Sequence, residues 1–280
     1  MNFHMSIYEN RLKKRYPFLA AHRGVCGANI PCNTLLAYKI ALEQGADIVE
    51  IDVAKSRDDK FFAFHPGMEF AYLKCGKTVA EMTAEEVLAT PIKNCDEADT
   101  HYRIPTLQEA FALLKDKVYI NVDKFWTDIE GISAEIRKAG VEKQVIVKSG
   151  SEEKYFAEIE KYAPDLMYMP VVRDRDEITK ELEKRKINVV GAEVLFKDLT
   201  APVASVEYIK EMHGREKLVW VNSIIYDERD VLSAGLTDDI SLENGGEFGW
   251  GVLDKLGFDI IQTDWLSAAK QYFTKNKKGN

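Results

Sequence analysis

Cysteine is scarce in this chain of 280 residues, with four in all: Cys26, Cys32, Cys75 and Cys95. They make no Cys-x-x-Cys pair and stand at no metal-ligand spacing from a histidine, which argues against a thiolate zinc site and a disulfide framework. They read as free thiols in a reducing compartment. Long apolar runs are missing too. No stretch approaches the roughly 18–20 residues that span a bilayer, so no stable membrane insertion is expected. Residues 1–16 are basic at Arg11, Lys13, Lys14 and Arg15 but have no apolar segment before Pro17. That is not the build of a secretory signal, and a cytoplasmic protein is the expectation. Positive charge is in deficit, the net charge being −8. A nucleic-acid partner wants a basic face and is not expected. A small anionic substrate stays open, because a metal ion and a few local cations can dominate one pocket. Internal repeats, low-complexity linkers and a glycine-rich phosphate loop are also absent, and one domain over 1–280 is the simplest organisation.

What is present is a dense gathering of chemistry between Ala20 and Pro66. Asp47-Ile48-Val49-Glu50-Ile51-Asp52-Val53 alternates, which puts Glu50 and Asp52 on one side of a strand and Val49, Ile51 and Val53 on the other. The apolar side packs outward against helices, so both acids face inward. Ser56-Arg57-Asp58-Asp59-Lys60 reads as a tight turn and Phe61 to Phe64 as a returning strand. A turn centred on Asp58-Asp59 sets Asp52 opposite His65. Taken singly, a charged strand residue can be half of a buried ion pair, and a histidine is commonly just packed. Together, His22, Arg23, Glu50, Asp52 and His65 converge at one strand end.

Further along, strands and helices alternate. The strands are Phe18 to His22, Asp47 to Val53, Val118 to Asp123, Gln144 to Lys148, Leu166 to Val171, Asn188 to Val194, Lys217 to Asn222 and Phe258 to Thr263. Asn33-Thr34 caps a helix from Leu35 to Gln44, and Thr106-Leu107-Gln108-Glu109 is a capping box. Residues 67–104 have no strong strand pattern and read as an insertion over one mouth of the fold, after the second barrel strand and its hairpin. Eight strands alternating with helices over this length point to an α/β fold, a (β/α)8 TIM barrel. Chemistry in such barrels sits at the C-terminal strand ends. Those ends carry His22-Arg23, Glu50 and Asp52, Asp123-Lys124, Lys148, Glu193, Trp220 and Asn222, and Thr263-Asp264. An all-oxygen carboxylate cluster there suits a hard divalent ion, Mg²⁺ or Ca²⁺.

These residues resemble a known family. His22-Arg23-Gly24, Pro31-Cys32-Asn33-Thr34, Gly45 to Val53, Phe64-His65, Ile104-Pro105-Thr106-Leu107 and Gly257 to Asp264, in that order, are similar to the glycerophosphodiester phosphodiesterases. The resemblance covers nearly the whole barrel. It implies hydrolysis of small phosphodiesters such as glycerophosphocholine to sn-glycerol 3-phosphate and an alcohol, with a divalent metal. By position it implies His22 and His65 as the acid/base pair, Glu50, Asp52 and Asp123 as metal ligands, and Arg23 as a phosphate contact. Lys124, Lys148, Glu193, Trp220 and Asn222 complete the candidate substrate-binding set.

Three departures from the family pattern stand out. Its Pro-Glu-Asn-Thr is here Pro31-Cys32-Asn33-Thr34, its His-Asp is His65-Pro66, and its acid-x-Lys is Asp123-Lys124. With the lysine one position early, ideal pleating turns Lys124 outward; either the strand ends or bulges there, or Lys148, expected to face inward, takes over the cation. Two rival functions belong to the same residues. One is a phosphodiesterase acting on lipids, as in the related sphingomyelinases D and phosphatidylinositol phospholipases C. The other is an idle barrel that only binds phosphodiesters.

Overall fold

The computed structural model describes residues 1–226 and 229–276. Among the described residues there are eleven strands: β1 (Phe18–Ala21), β2 (Ile48–Lys55), β3 (Phe61–Ala63), β4 (Pro91–Lys93), β5 (Asp99–Arg103), β6 (Tyr119–Asp123), β7 (Val145–Ser149), β8 (Met167–Arg173), β9 (Gly191–Leu195), β10 (Leu218–Asn222) and β11 (Ile260–Thr263). Eight of them run parallel in the order β1-β11-β10-β9-β8-β7-β6-β2, and β2 pairs back to β1. The sheet is therefore a closed barrel with helices between its strands, the TIM architecture expected from the alternation.

Strand pleating divides the side chains into two layers. Val49, Ile51, Val53, Ile120, Val122, Val145, Val147, Val219 and Val221 pack outward against the helices in one continuous apolar cluster. Phe18, Ala20, Ile48, Tyr119, Ile146, Met169, Leu218, Trp220 and Ile260 fill the lumen, with Ile7 sealing the N-terminal end. Glu50 and Asp52 share the parity of Ile48, and Asp123 that of Tyr119, so all three acids rise from the lumen side of their strands.

Two aspartates from the family-like motifs serve the frame. Asp47 accepts the Leu19 amide at 3.0 Å just before β2. Asp259 accepts the Val219 amide at 2.9 Å just before β11. Each clips the start of its own strand to a neighbour's backbone. Two helices show the capping rules at work. Thr106 and Glu109 form the expected capping box at the start of Leu107–Leu114. Asp128 caps Ile129–Ala139, which stops at a left-handed Gly140.

The hairpin after β2 differs from its expected register. Val53 pairs with Ala63 and Lys55 with Phe61, so Asp52 faces Phe64 rather than His65. The turn closes one residue earlier than expected, with Asp59 left-handed at φ 60° and the Asp59 amide bonded to the Ser56 carbonyl. Residues 67–104 also hold more order than their composition suggests. β4 and β5 pair as a two-stranded sheet. Leu73, Val79, Met82, Val87, Ile92 and Ile104 pack with Phe62 and Phe64 of the hairpin in a small core of their own. No helix among the described residues is long and apolar enough to cross a membrane.

Candidate active site

β1 ends at Ala21, and the chain turns sharply through Arg23 (φ 57°) and Gly24 (φ 79°). Glycine is required at that turn. A Cβ on Gly24 would lie 2.7 Å from the backbone carbon of Ala37 in the helix Leu35–Glu43. This close approach swings the Arg23 amide onto Glu50, whose Oε2 accepts it at 2.7 Å. The Arg23 guanidinium returns over the mouth, with Nε 3.0 Å from Asp52 Oδ2 in an ion pair. His22 faces the other way, its Nδ1 lying 2.8 Å from Asp264 Oδ1 beyond β11.

Glu50, Asp52 and Asp123 present ligand oxygens within 4.8 Å of one another. Glu50 and Asp52 are almost wholly buried. Burial first, and then the Asp52 charge, push the Glu50 carboxyl up to about 8. Asp52 Oδ1 is buried with no hydrogen-bond partner, although its neighbour Oδ2 accepts from Asn33 Nδ2 at 2.8 Å. Crowded, desolvated carboxylates with an orphaned oxygen and no soft donor among them are the surroundings a hard divalent cation needs. The residues fit Mg²⁺ or Ca²⁺. Asp123 is held below the usual range despite its burial, because the Lys124 ammonium lies 3.0 Å from its Oδ2.

Lys124 corrects the pleating expectation. It adopts a left-handed conformation (φ 60°) immediately after β6. The strand has ended there, so alternation no longer dictates direction, and the ammonium turns back to the acids. Its elevated pKa reflects Asp123, Asp52 and Glu50 overcoming the cost of burial. Lys148 also points inward, as expected, but deeper. Its Nζ lies 2.6 Å from Glu193 Oε2 and 3.2 Å from the centre of the Trp220 ring. Asn222 Nδ2 donates to Glu193 Oε1 at 2.6 Å, and Asn222 Oδ1 accepts the Trp220 indole N–H at 3.2 Å. Lys148, Glu193, Trp220 and Asn222 are thus one connected network beneath the mouth.

His65 arrives from the hairpin with Nε2 3.9 Å from Asp52 Oδ1. Neither of its ring nitrogens has a hydrogen-bond partner. Burial, reinforced by the Arg23 and Lys124 charges, lowers its pKa. His22 is shifted the other way: Asp264 and Glu50 outweigh its burial and raise it.

Two residues of the mouth were not among the candidate site residues read from sequence. Asn33, read as part of a helix cap, has φ 55° and grips Asp52 on both sides: besides the Nδ2 bond, its Oδ1 accepts the Asp52 amide at 3.2 Å. Thr34 alone makes the cap, accepting the Ala37 amide. An asparagine before a capping threonine is the signal, but its partner lies across the fold. Cys32 is a free thiol beside Arg23. Its contact with Cys26, and then the Arg23 charge, lower it to about 7. His101, in contrast, is exposed on β5. A surface cavity of about 670 Å³ lined by Phe3, His4, Asp165 and Asn188 lies at the opposite, N-terminal end of the barrel, away from this gathering.

Comparison with known proteins gives the arrangement a context. The chain is 35% identical over 128 residues to a glycerophosphodiester phosphodiesterase of Caldanaerobacter subterraneus subsp. tengcongensis, a match covering 45% of this chain and 49% of that protein. The chain thus spans about half the length of the curated relatives it matches. A glycerophosphoryl diester phosphodiesterase structure from Parabacteroides distasonis superposes with a TM-score of 0.77 at 22% identity, covering 97% of this chain and 93% of that one. A phosphodiesterase from Oleispira antarctica, solved with the product sn-glycerol-3-phosphate, superposes with a TM-score of 0.64 at 18% identity over 92% and 97%. At such identities the structural likeness is one of fold. The family model of the glycerophosphoryl diester phosphodiesterases matches residues 22–221, most of the barrel and nearly all of the mouth described above, and the chain belongs to that family.

Proposed function

We propose that this protein hydrolyses small glycerophosphodiesters, such as glycerophosphocholine, to sn-glycerol 3-phosphate and an alcohol. The observation that carries the reading is the convergence of Glu50, Asp52 and Asp123 with His22, His65, Arg23 and Lys124 at one barrel mouth. Family membership supports it, as does the product held by the Oleispira relative.

Glu50, Asp52 and Asp123 would hold the divalent cation, Mg²⁺ or Ca²⁺. Bound there, it supplies Lewis-acid polarisation of a phosphoryl oxygen. Arg23 and Lys124 add donors where the phosphoryl group gathers charge, Arg23 with a planar fork suited to two oxygens. His65, with both nitrogens free of partners, takes the proton of the nucleophile, which is water or a neighbouring substrate hydroxyl. His22 carries the other proton. Asp264 holds its Nδ1 and stabilises the imidazolium, so Nε2 can deliver a proton to the departing alkoxide. Below them, Glu193 and Asn222 offer acceptor and donor to the glycerol hydroxyls, with Lys148 and Trp220 fixing their directions.

The test is turnover of a panel of glycerophosphodiesters with the products identified by phosphorus NMR, before and after chelation. Release of sn-glycerol 3-phosphate that stops with chelator and returns with Mg²⁺ or Ca²⁺ is expected. Absence of turnover on every diester with either ion contradicts the reading.

A further inference from the structure

One buried carboxylate near the mouth has no part in the chemistry above. Asp238 lies in the segment between β10 and β11, at the first position of the helix Asp238–Asn244, and is 2% exposed. Its Oδ1 accepts three donors: Ser223 Oγ at 2.6 Å, the Trp250 indole N–H at 2.7 Å and Thr263 Oγ1 at 2.8 Å. Its Oδ2 accepts the backbone amide of Asp264 at 2.8 Å. Thr263 Oγ1 in turn accepts the amide of Trp265 at 2.9 Å. The backbone on both sides of the Asp264 side chain is therefore fixed to one buried group. That matters because the Asp264 side chain itself is 43% exposed. An exposed carboxylate keeps a constant direction only if the backbone beneath it cannot shift, and this one meets His22 Nδ1 at 2.8 Å.

We propose that Asp238 is a positioning residue: by clamping the Asp264 amide it aims the Asp264 carboxylate at His22 and so holds the imidazole that protonates the leaving group. A carboxylate suits the post. One of its oxygens collects three donors while the other is kept for Asp264, and a neutral amide would set an N–H against either the Asp264 amide or the Trp250 indole, both fixed donors. The arrangement also couples the segment between β10 and β11 to β1 on the far side of the barrel closure.

The role deepens the proposed hydrolysis and rests on it, so the experiment has one readout with turnover and one without. Asp238→Ala is expected to lower kcat about tenfold, a fraction of the 10²–10⁴ that a whole proton transfer contributes, with KM within about twofold. Asp264→Ala lowers kcat by at least as much. The double variant falls no further than Asp264→Ala alone, because Asp238 works through Asp264. Trp250→Phe, which removes one Oδ1 donor and leaves the Asp264 bond, lowers Tm while kcat stays within about twofold, unlike a change that acts by stability alone. Losses that multiply in the double variant overturn the proposal. If Asp238→Ala does not fold, isosteric Thr263→Val loosens the same segment and replaces it in the cycle, with the same two outcomes. Crystal structures of whichever variant folds supply the readout without turnover. A His22–Asp264 separation beyond hydrogen-bond reach supports the clamp, and an unchanged 2.8 Å refutes it. A wild-type protein inactive on every glycerophosphodiester defeats the hydrolysis reading and leaves this structural arm to stand or fall alone.

Discussion

At the scale of single residues, the proposed division of labour between the histidines rests on what each ring touches. His22 has a carboxylate on Nδ1, and His65 has a partner on neither nitrogen. Replacing either by alanine is expected to remove one proton transfer, a loss of about 10²–10⁴ in kcat. The two variants separate when the leaving group is changed. A p-nitrophenyl phosphodiester, whose phenolate needs no proton to depart, recovers much of the His22→Ala loss and little of the His65→Ala loss. Steady-state kinetics on the two substrates checks this, and equal recovery by both variants contradicts the assignment. The lysines divide differently. Lys124 sits on Asp123 beside the acids, whereas Lys148 is committed to Glu193 and the Trp220 face. Lys124→Met is expected to lower kcat, and Lys148→Met mainly to raise KM by releasing Glu193 and Asn222. Alternation alone gave the opposite picture for Lys124. Pleating holds only while the strand continues; the bulky Phe125 and Trp126 allow an irregularity after Asp123 but do not fix a left-handed Lys124. Asn33 was hidden for another reason: its side chain is spent on Asp52, in a strand no local pattern connects to it.

Single elements were legible where a face or a cap determines them. The outward valines of β2, β6, β7 and β10 identify the lumen side by period two, and with it the direction of Glu50, Asp52, Asp123 and Lys148. The hairpin register was not legible, since Asp58-Asp59 allows a turn at either position and a shift of one re-pairs the whole return strand. His65 still reaches Asp52 because it lies past the end of β3, where the chain has left the ladder. The β1 turn is the element on which the mouth depends most. Gly24→Ala places a Cβ against the Ala37 backbone at a left-handed φ. It is expected to cost more than about 1 kcal/mol of stability. Because the Arg23 amide leaves Glu50 when the turn opens, kcat falls as well. Thermal unfolding and kinetics measured together check both, and a variant with unaltered kcat means the turn does not set the mouth.

For the whole molecule, eight alternating strands and the acids at their C-terminal ends were readable because closing a barrel imposes one pattern on every strand. The order inside residues 67–104 was not readable, because its small core borrows Phe62 and Phe64 from the hairpin. Electrostatics at this scale yields a stability prediction. The Glu50 carboxyl titrates near 8 in the fold against an ordinary 4.5, so between those values the native state binds more protons than the unfolded chain. Stability of the metal-free protein therefore declines as pH rises from about 4.5 to about 8 and levels beyond. Glu50→Gln removes this share of the slope. A divalent ion offsets the repulsion and competes with the proton, so Mg²⁺ or Ca²⁺ raises Tm more at pH 8 than at pH 5. Thermal scans of chelated wild type and Glu50→Gln at the two pH values check the sign. An ion-induced shift that is larger at pH 5 contradicts it.

The most direct measurement is a crystal structure of the protein with Mg²⁺ or Ca²⁺ and sn-glycerol 3-phosphate. The expected result is one ion bound by Glu50, Asp52 and Asp123 at about 2.0–2.6 Å, with the phosphate between it, Arg23 and Lys124 and the glycerol above Glu193 and Asn222. An ion bound elsewhere, with these three carboxylates splayed apart and the phosphate away from the barrel mouth, would contradict it.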